Sequence, residues 1–217
     1  VEGLKYVRSV PLLAAICLVS VGWATGGGAA QILFTLFGER VFARGPAGTG
    51  TIWGCAGVGL VIGGITGHFL GKKVGFAGYK RTIPLVYLIH GGGYAIFSLM
   101  TNWPLALFFI AISRAGTAVS SVLNGAQMLQ HTANEYRGRV SATIETLTWS
   151  TMLISMAAAG FATRSADPEV IRWVGVASGI LSSTTAIGWA WLSWSGRLVE
   201  PARVDAPQNV EMHDRAV

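Results

Sequence analysis

Charge is the scarcest commodity in this chain: of 217 residues, only 12% are Asp, Glu, Lys or Arg, against 52% hydrophobic. Soluble globular domains run near a quarter charged, so the composition argues against an ordinary soluble fold. Cysteine is nearly missing as well. Cys17 and Cys55 both sit inside apolar runs, which excludes a disulfide framework and any cysteine-based metal spacing. His68, His90, His131 and His213 are scattered and form no H-x-x-x-H or Cys/His ligand set, so no metal site is expected. Ten-residue alternating segments are absent, which excludes a transmembrane barrel. The N-terminus lacks a small-residue cleavage site and its first apolar run is too long for a cleaved signal peptide.

What the chain has in quantity is long apolar runs and 29 glycines without any collagen-like period. Gly is commoner in membrane helices than in soluble ones. Six stretches, about 11–37, 50–70, 82–100, 104–129, 140–162 and 172–195, approach the ~20 residues needed to cross a bilayer. They predict an all-α integral membrane protein, a six-helix bundle over 1–195, because helices satisfy their own backbone in lipid. The intervening loops fall at 38–49, 71–81, 101–103, 130–139 and 163–171. Val1–Arg8 reads as a short amphipathic lead-in helix, and 196–217 as a polar, disordered tail. Val1 is not an initiator methionine, so the chain is expected to be a piece of something longer.

The net charge of +6 is distributed in short clusters between apolar runs, as topology signals and not as a nucleic-acid patch. With the N-terminus inside, eleven bases lie inside (Lys5, Arg8, Lys72, Lys73, Lys80, Arg81, Arg137, Arg139, Arg197, Arg203, Arg215). Four, Arg40, Arg44, Arg164 and Arg172, lie outside, and the sixteenth, Arg114, falls within a span. The bias places both termini in the cytoplasm of a multi-pass inner (plasma) membrane protein.

Two glycine patterns stand out. Gly26-Gly27-Gly28 interrupts the first span, at about 1 kcal/mol per Gly relative to Ala; it serves either a discontinuous helix facing a substrate or close packing of a neighbour. Gly50, Gly54, Gly59, Gly63, Gly67 and Gly71 form a ladder along the second span, a flat groove for another helix.

The fourth span carries the sharpest chemical signal. Arg114, Thr117, Ser121 and Asn124 recur at steps of 3, 4 and 3, with Ser120 and Gln127 extending the same side, so they share one helical face. Arg114 lies about ten residues, or roughly 15 Å, below the outer surface. A charge at that depth costs about 2.5–3.5 kcal/mol on insertion scales and normally faces protein or water. The face is expected to line an aqueous cavity, Arg114 pairing an anionic substrate group or a carboxylate from another bundle; satisfaction by helix-end carbonyls or polar neighbours is the structural alternative. On the fifth span, Ser141, Glu145, Thr148, Met152 and Ser155 form a second polar face. Glu145 near its end is a gate or protonation candidate, or a solvated interfacial carboxylate. Gln31, Thr35 and Ser182–Thr185 suit hydrogen bonding between helices. His90 is placed either to relay protons or to pack against Tyr87 or Tyr94.

The segment Gln130-His131-Thr132-Ala133-Asn134-Glu135-Tyr136-Arg137-Gly138-Arg139-Val140 resembles the loop between helices ten and eleven of major facilitator superfamily transporters, in the enterobactin-exporter and macrolide-efflux branch, where it reads like Q…P-D/N-E-x-R-G-R-V. Ala133 stands at the proline position. Glu2–Arg8 is similar to that branch's entry to helix seven. Gly67-His68-Phe69-Leu70-Gly71-Lys72-Lys73 occupies the place of the superfamily's G-x-x-x-D-R-x-G-R-R motif in degraded form, Gly71 standing where the acid belongs. The resemblance covers the chain as the C-terminal six of twelve helices. It implies secondary active efflux of a small apolar or amphiphilic solute by alternating access. It also implies a proton or other ion gradient and no bound cofactor, with an N-terminal half or a second copy of this chain supplying the other cavity wall. A self-associating half-transporter and a non-transporting membrane scaffold are the alternatives. Enzyme patterns fail: Gly175-Val176-Ala177-Ser178-Gly179 has the wrong spacing for G-x-S-x-G, and Gly71-Lys72 is followed by Lys73 where a P-loop needs Ser or Thr. No enzymatic activity is expected.

Overall fold

A computed structural model describes residues 2–202; the part of the expected disordered tail at 203–217 lies outside them. The described residues are helical, without strands. A short helix α1 (Glu2–Ser9) precedes α2 (Pro11–Gly27) and α3 (Ala29–Leu36), which a π-helical turn (Phe37–Val41) extends. Then follow α4 (Gly45–Lys73), α5 (Phe76–Leu99), α6 (Trp103–Gln130), α7 (Asn134–Ala162) and α8 (Pro168–Trp194). Five of these units are long and apolar enough to cross a membrane: Pro11–Val41, Gly45–Lys73, Phe76–Leu99, Trp103–Gln130 and Pro168–Trp194. The chain is thus compatible with a multi-pass helical membrane protein.

α7 stands apart. It has 29 residues, ample length for a crossing, but it is too polar to count among the five by composition. Four of its hydroxyls are turned back on their own helix: Thr143, Thr146, Thr148 and Thr151 each donate to the carbonyl four residues earlier, at 2.7–2.9 Å. Such self-satisfied residues add little outward polarity.

The helices overrun the expected spans, and the loops shrink. The loop expected over 71–81 is only Val74-Gly75, and that over 130–139 only residues 131–133. Gly67, Gly71, Lys72 and Lys73 therefore ride on α4, and Arg137, Gly138 and Arg139 on the first turns of α7, rather than in loops. Helix-end chemistry accounts for this. Lys72 and Lys73 sit in the last turn of α4, where cations complement the helix dipole. Pro residues open α4, α6 and α8, as their missing N–H allows. Asn102 caps α6 through Leu105 N–H and Asp167 caps α8 through Glu169 N–H, each satisfying an orphan donor.

Two arginines close helix C-termini. Arg137 folds back on α6, donating from Nε to the Thr132 carbonyl (3.2 Å) and from Nη2 to that of Leu129 (2.9 Å). Arg172 donates to the carbonyls of Ser98 (3.0 Å) and Met100 (2.7 Å) at the end of α5. The lead-in helix α1 docks on α7: Tyr6 stacks on Tyr136 at 4.5 Å and Glu2 pairs with Arg139 at 2.8 Å.

α4 packs on α6, α5 on both α6 and α8, and α2 on α7 and α8. Gly59 and Gly63 bring α4 against the α6 backbone: a β-carbon on either would collide with the Ala111 or Ala115 carbonyl. That part of the glycine ladder is a helix interface, as a small-residue stripe allows, whereas Gly50 and Gly54 face open space. Leu18, Val58, Val61, Ile62, Ile65, Phe108, Leu153, Ile154, Ile180 and Ile187 point outward and are more than half exposed, an apolar exterior far beyond the patches soluble monomers expose.

Inside, two apolar clusters fill the ends of the bundle. One gathers Leu12, Ile16, Val19, Ile83, Val86, Tyr87, Leu123, Ile144 and Trp189. The other gathers Leu33, Phe34, Phe37, Tyr94, Phe97, Ile110 and Ile171. Between them runs a polar waist of buried His90, Ser113, Arg114, Ser120, Ser155, Ser178, Ser182 and Thr185.

Candidate functional site: a polar cleft above a hydrogen-bonded floor

A cleft of about 260 Å³ opens into the bundle between α2, α5, α6 and α7. α2 contributes Ile16, Ser20 and Trp23, and α5 contributes Tyr87. α6 contributes Thr117, Ser120, Ser121, Asn124, Gly125 and Met128; α7 faces it with Ser141, Ile144, Glu145, Thr148 and Trp149. The two polar faces expected on the fourth and fifth spans are therefore opposite walls of one cavity. Thr117, Ser121, Asn124 and Glu145 all line it. Gln31, on α3, and Gln127, whose Oε1 is buried without a hydrogen-bond partner, do not.

The wall groups are held in defined states. Ser120 and Ser121 donate to the Thr117 carbonyl at 2.8 and 3.0 Å, and Thr148 to that of Ile144 at 2.8 Å. Their hydroxyl protons are committed, so these oxygens are presented to the cleft as acceptors. Asn124 Oδ1 accepts from the Tyr79 hydroxyl at 2.8 Å, which orients the amide. Glu145 is exposed on the cleft side of α7.

The floor is a network that sequence reasoning missed. Trp23 Nε1–H donates to His90 Nε2 at 3.1 Å, so that nitrogen is unprotonated and the ring hydrogen resides on Nδ1. Nδ1 lies 2.8 Å from Thr117 Oγ1 and 3.1 Å from the Ser113 carbonyl, while Ser113 Oγ donates to the His90 carbonyl at 2.8 Å. One imidazole thus ties α2, α5 and α6 together. His90 is a crossing point of three helices, not merely packed on Tyr87 or Tyr94 of its own.

Arg114 is one turn past Thr117 and sits below this floor, outside the cleft lining. It is 7% exposed with its Cζ 4.9 Å from the centre of the Phe34 ring. Its Nε and Nη2, and the Tyr94 hydroxyl, are buried without hydrogen-bond partners. Of the stripe expected to line a cavity, Thr117, Ser120, Ser121 and Asn124 do so, whereas Arg114 and Gln127 do not.

A third feature explains the glycine triplet. Ser155 Oγ accepts from Ala29 N–H at 3.0 Å and donates to the Thr25 carbonyl at 2.7 Å. Thr25 and Ala29 are i,i+4 partners that would bond directly in an unbroken helix, so the hydroxyl is inserted into the ladder, a recognised cause of helix breaks. Gly26 and Gly28 permit it: β-carbons there would strike the Ser178 carbonyl on α8 and the Met152 carbonyl on α7. The close packing expected of the triplet is present and the helix is broken there, but the freed backbone groups are taken up by Ser155 and not turned to a cavity.

In α5, Pro84 leaves the Lys80 carbonyl without its helical donor, and the Trp189 indole takes it at 2.9 Å. Compared with known proteins, the chain matches no family model, and no curated protein or solved structure is significantly similar to it.

Proposed function

We propose that the chain is one six-helix half of a secondary transporter of the major facilitator type, spanning the membrane with α7 as its sixth crossing. The cleft supports this: hydroxyl, amide and carboxylate groups from α6 and α7 face one another across a cavity sunk into a bundle with an apolar exterior. Apolar Ile16, Ile144, Met128, Trp23 and Trp149 alternate with them, a lining that suits an amphiphilic solute. At about 260 Å³ the cleft is smaller than the ~300–1,000 Å³ of drug-sized ligand sites, as one wall of a shared cavity would be. A second bundle, from an N-terminal half or a second copy, completes it. The broken α2–α3 helix provides the bending element for alternating access, and the basic ends of α4, α5, α7 and α8 face the cytoplasm.

The test uses single cysteines at Ser121 and Thr148 in a chain whose Cys17 and Cys55 are replaced by Ala. In sealed vesicles a membrane-impermeant thiol reagent should label both from one side only, and a transported amphiphile should slow the labelling. Labelling equally from both sides, or from neither, would reject the cleft as a translocation path.

A further inference from the structure

Arg114 presents an unmet chemical demand. A guanidinium withdrawn from water needs a counter-charge and full hydrogen bonding, since a buried unpaired charge costs several kcal/mol. Phe34 covers its face, but Nε and Nη2 point at no acceptor. These two nitrogens form the same edge of the guanidinium, the fork whose parallel N–H bonds match the two oxygens of a carboxylate. The Tyr94 hydroxyl, from the neighbouring α5, is a third donor in the same condition. Arg114 and Tyr94 flank the same Phe34 ring, the guanidinium carbon 4.9 Å and the phenol ring centre 6.1 Å from its centre, so three buried donors without partners converge on one side chain.

We propose that Arg114 and Tyr94 form an occluded carboxylate site below the floor of the cleft. The inference rests on the transport reading for its access route: in this conformation the Trp23–His90–Thr117 layer separates the site from the cleft, and Arg114 is only one turn, roughly 4.5 Å, beyond Thr117. Shifting α2 at its break would carry Trp23 off His90 and admit an anionic group. The carboxylate arrives either on the transported solute or on an acidic side chain of the second bundle; the chemistry recognised is the same.

The full chain, purified and reconstituted, decides the matter with benzoate as the anion and benzamide as its neutral counterpart. If a solute supplies the carboxylate, benzoate and not benzamide raises the melting temperature; Arg114→Met melts above wild type without ligand and ignores benzoate. Tyr94→Phe keeps wild-type stability while needing about tenfold more benzoate, as loss of one hydrogen bond to a charged group predicts. If the second bundle supplies it, benzoate is silent, but Arg114→Met lowers at least tenfold the yield of the higher-mass cross-linked complex that a lysine-reactive cross-linker forms with this chain in native membranes. Arg114→Met that melts at or below wild type, with benzoate silent and the cross-linked complex unchanged, overturns the site and makes Arg114 a packing residue. The transport reading fails separately: vesicles that bind benzoate yet show one-sided labelling at neither Ser121→Cys nor Thr148→Cys would keep the site and reject the pathway.

Discussion

Replacing Ser155 with Ala tests the break in the α2–α3 helix directly. The hydroxyl holds Ala29 N–H at 3.0 Å and the Thr25 carbonyl at 2.7 Å. Were nothing to relax, both backbone groups would be buried and unmade, at about 1–3 kcal/mol each. Were the helix to close on itself, the Thr25–Ala29 bond would re-form and only an interhelical hydrogen bond would be lost, about 0.6 and at most about 1.7 kcal/mol in membrane proteins. Two contacts resist closure, since Gly26 lies against the Ser178 carbonyl and Gly28 against that of Met152. The expected loss is therefore between the limits, about 2 kcal/mol, or roughly 4–8 °C in melting temperature for a chain of this size. Ser155→Thr, which keeps the hydroxyl, should recover most of it. Reversible unfolding in mixed micelles measures the energy, and amide exchange at Ala29 reports the bond itself, rising at least tenfold in Ser155→Ala. A loss below about 0.5 kcal/mol with Ala29 still protected would show that the ladder closes freely and that the inserted hydroxyl is incidental.

Three more outcomes are expected. Gly63→Leu forces a side chain into the Ala115 carbonyl and should destabilise the α4–α6 contact by about 1–3 kcal/mol, as overpacking does, whereas Gly54→Leu, facing open space, should be nearly neutral in the same unfolding assay. Trp23→Phe removes the donor to His90 Nε2 while keeping an aromatic ring; a loss of about 1 kcal/mol, with a shift in the His90 imidazole nitrogen resonances, checks the assigned tautomer. Arg137→Lys loses the fork that reaches Thr132 and Leu129, because Lys is a point charge; faster amide exchange over 128–133, without global unfolding, is the expected reading.

The helical architecture was legible because apolar runs of bilayer length admit few other folds. Loop boundaries were less so: hydropathy sees where apolar character ends, and the helices continue past it until a cap or an extended residue such as Gly75 stops them. The opposed walls of the cleft were visible as two 3.6-residue polar stripes, since periodicity reports a face. Periodicity does not report where along its length that face meets a neighbour, which is why Arg114 fell on the right stripe but outside the cavity. The Trp23–His90–Thr117 floor joins residues 67 and 27 positions from the histidine; no local pattern encodes that meeting. Ser155 left a usable trace, a hydroxyl at helical spacing that needed only a partner, and the glycine triplet was that partner.

The back-bonded hydroxyls of α7 bear on how such a chain would be made. Insertion machinery judges segments as they emerge, and a stretch holding Glu145 and several threonines is a poor candidate by itself, because ionisable groups are costly to insert. α6, immediately before it and joined by a three-residue connection, is strongly apolar. If α7 is a sixth crossing, as proposed above, it would enter the lipid as the trailing arm of an α6–α7 hairpin, with Arg137 clasping the end of α6. On that reading, insertion is where the polarity of the α7 cleft wall is tolerated, because the apolar leading helix carries its polar partner across.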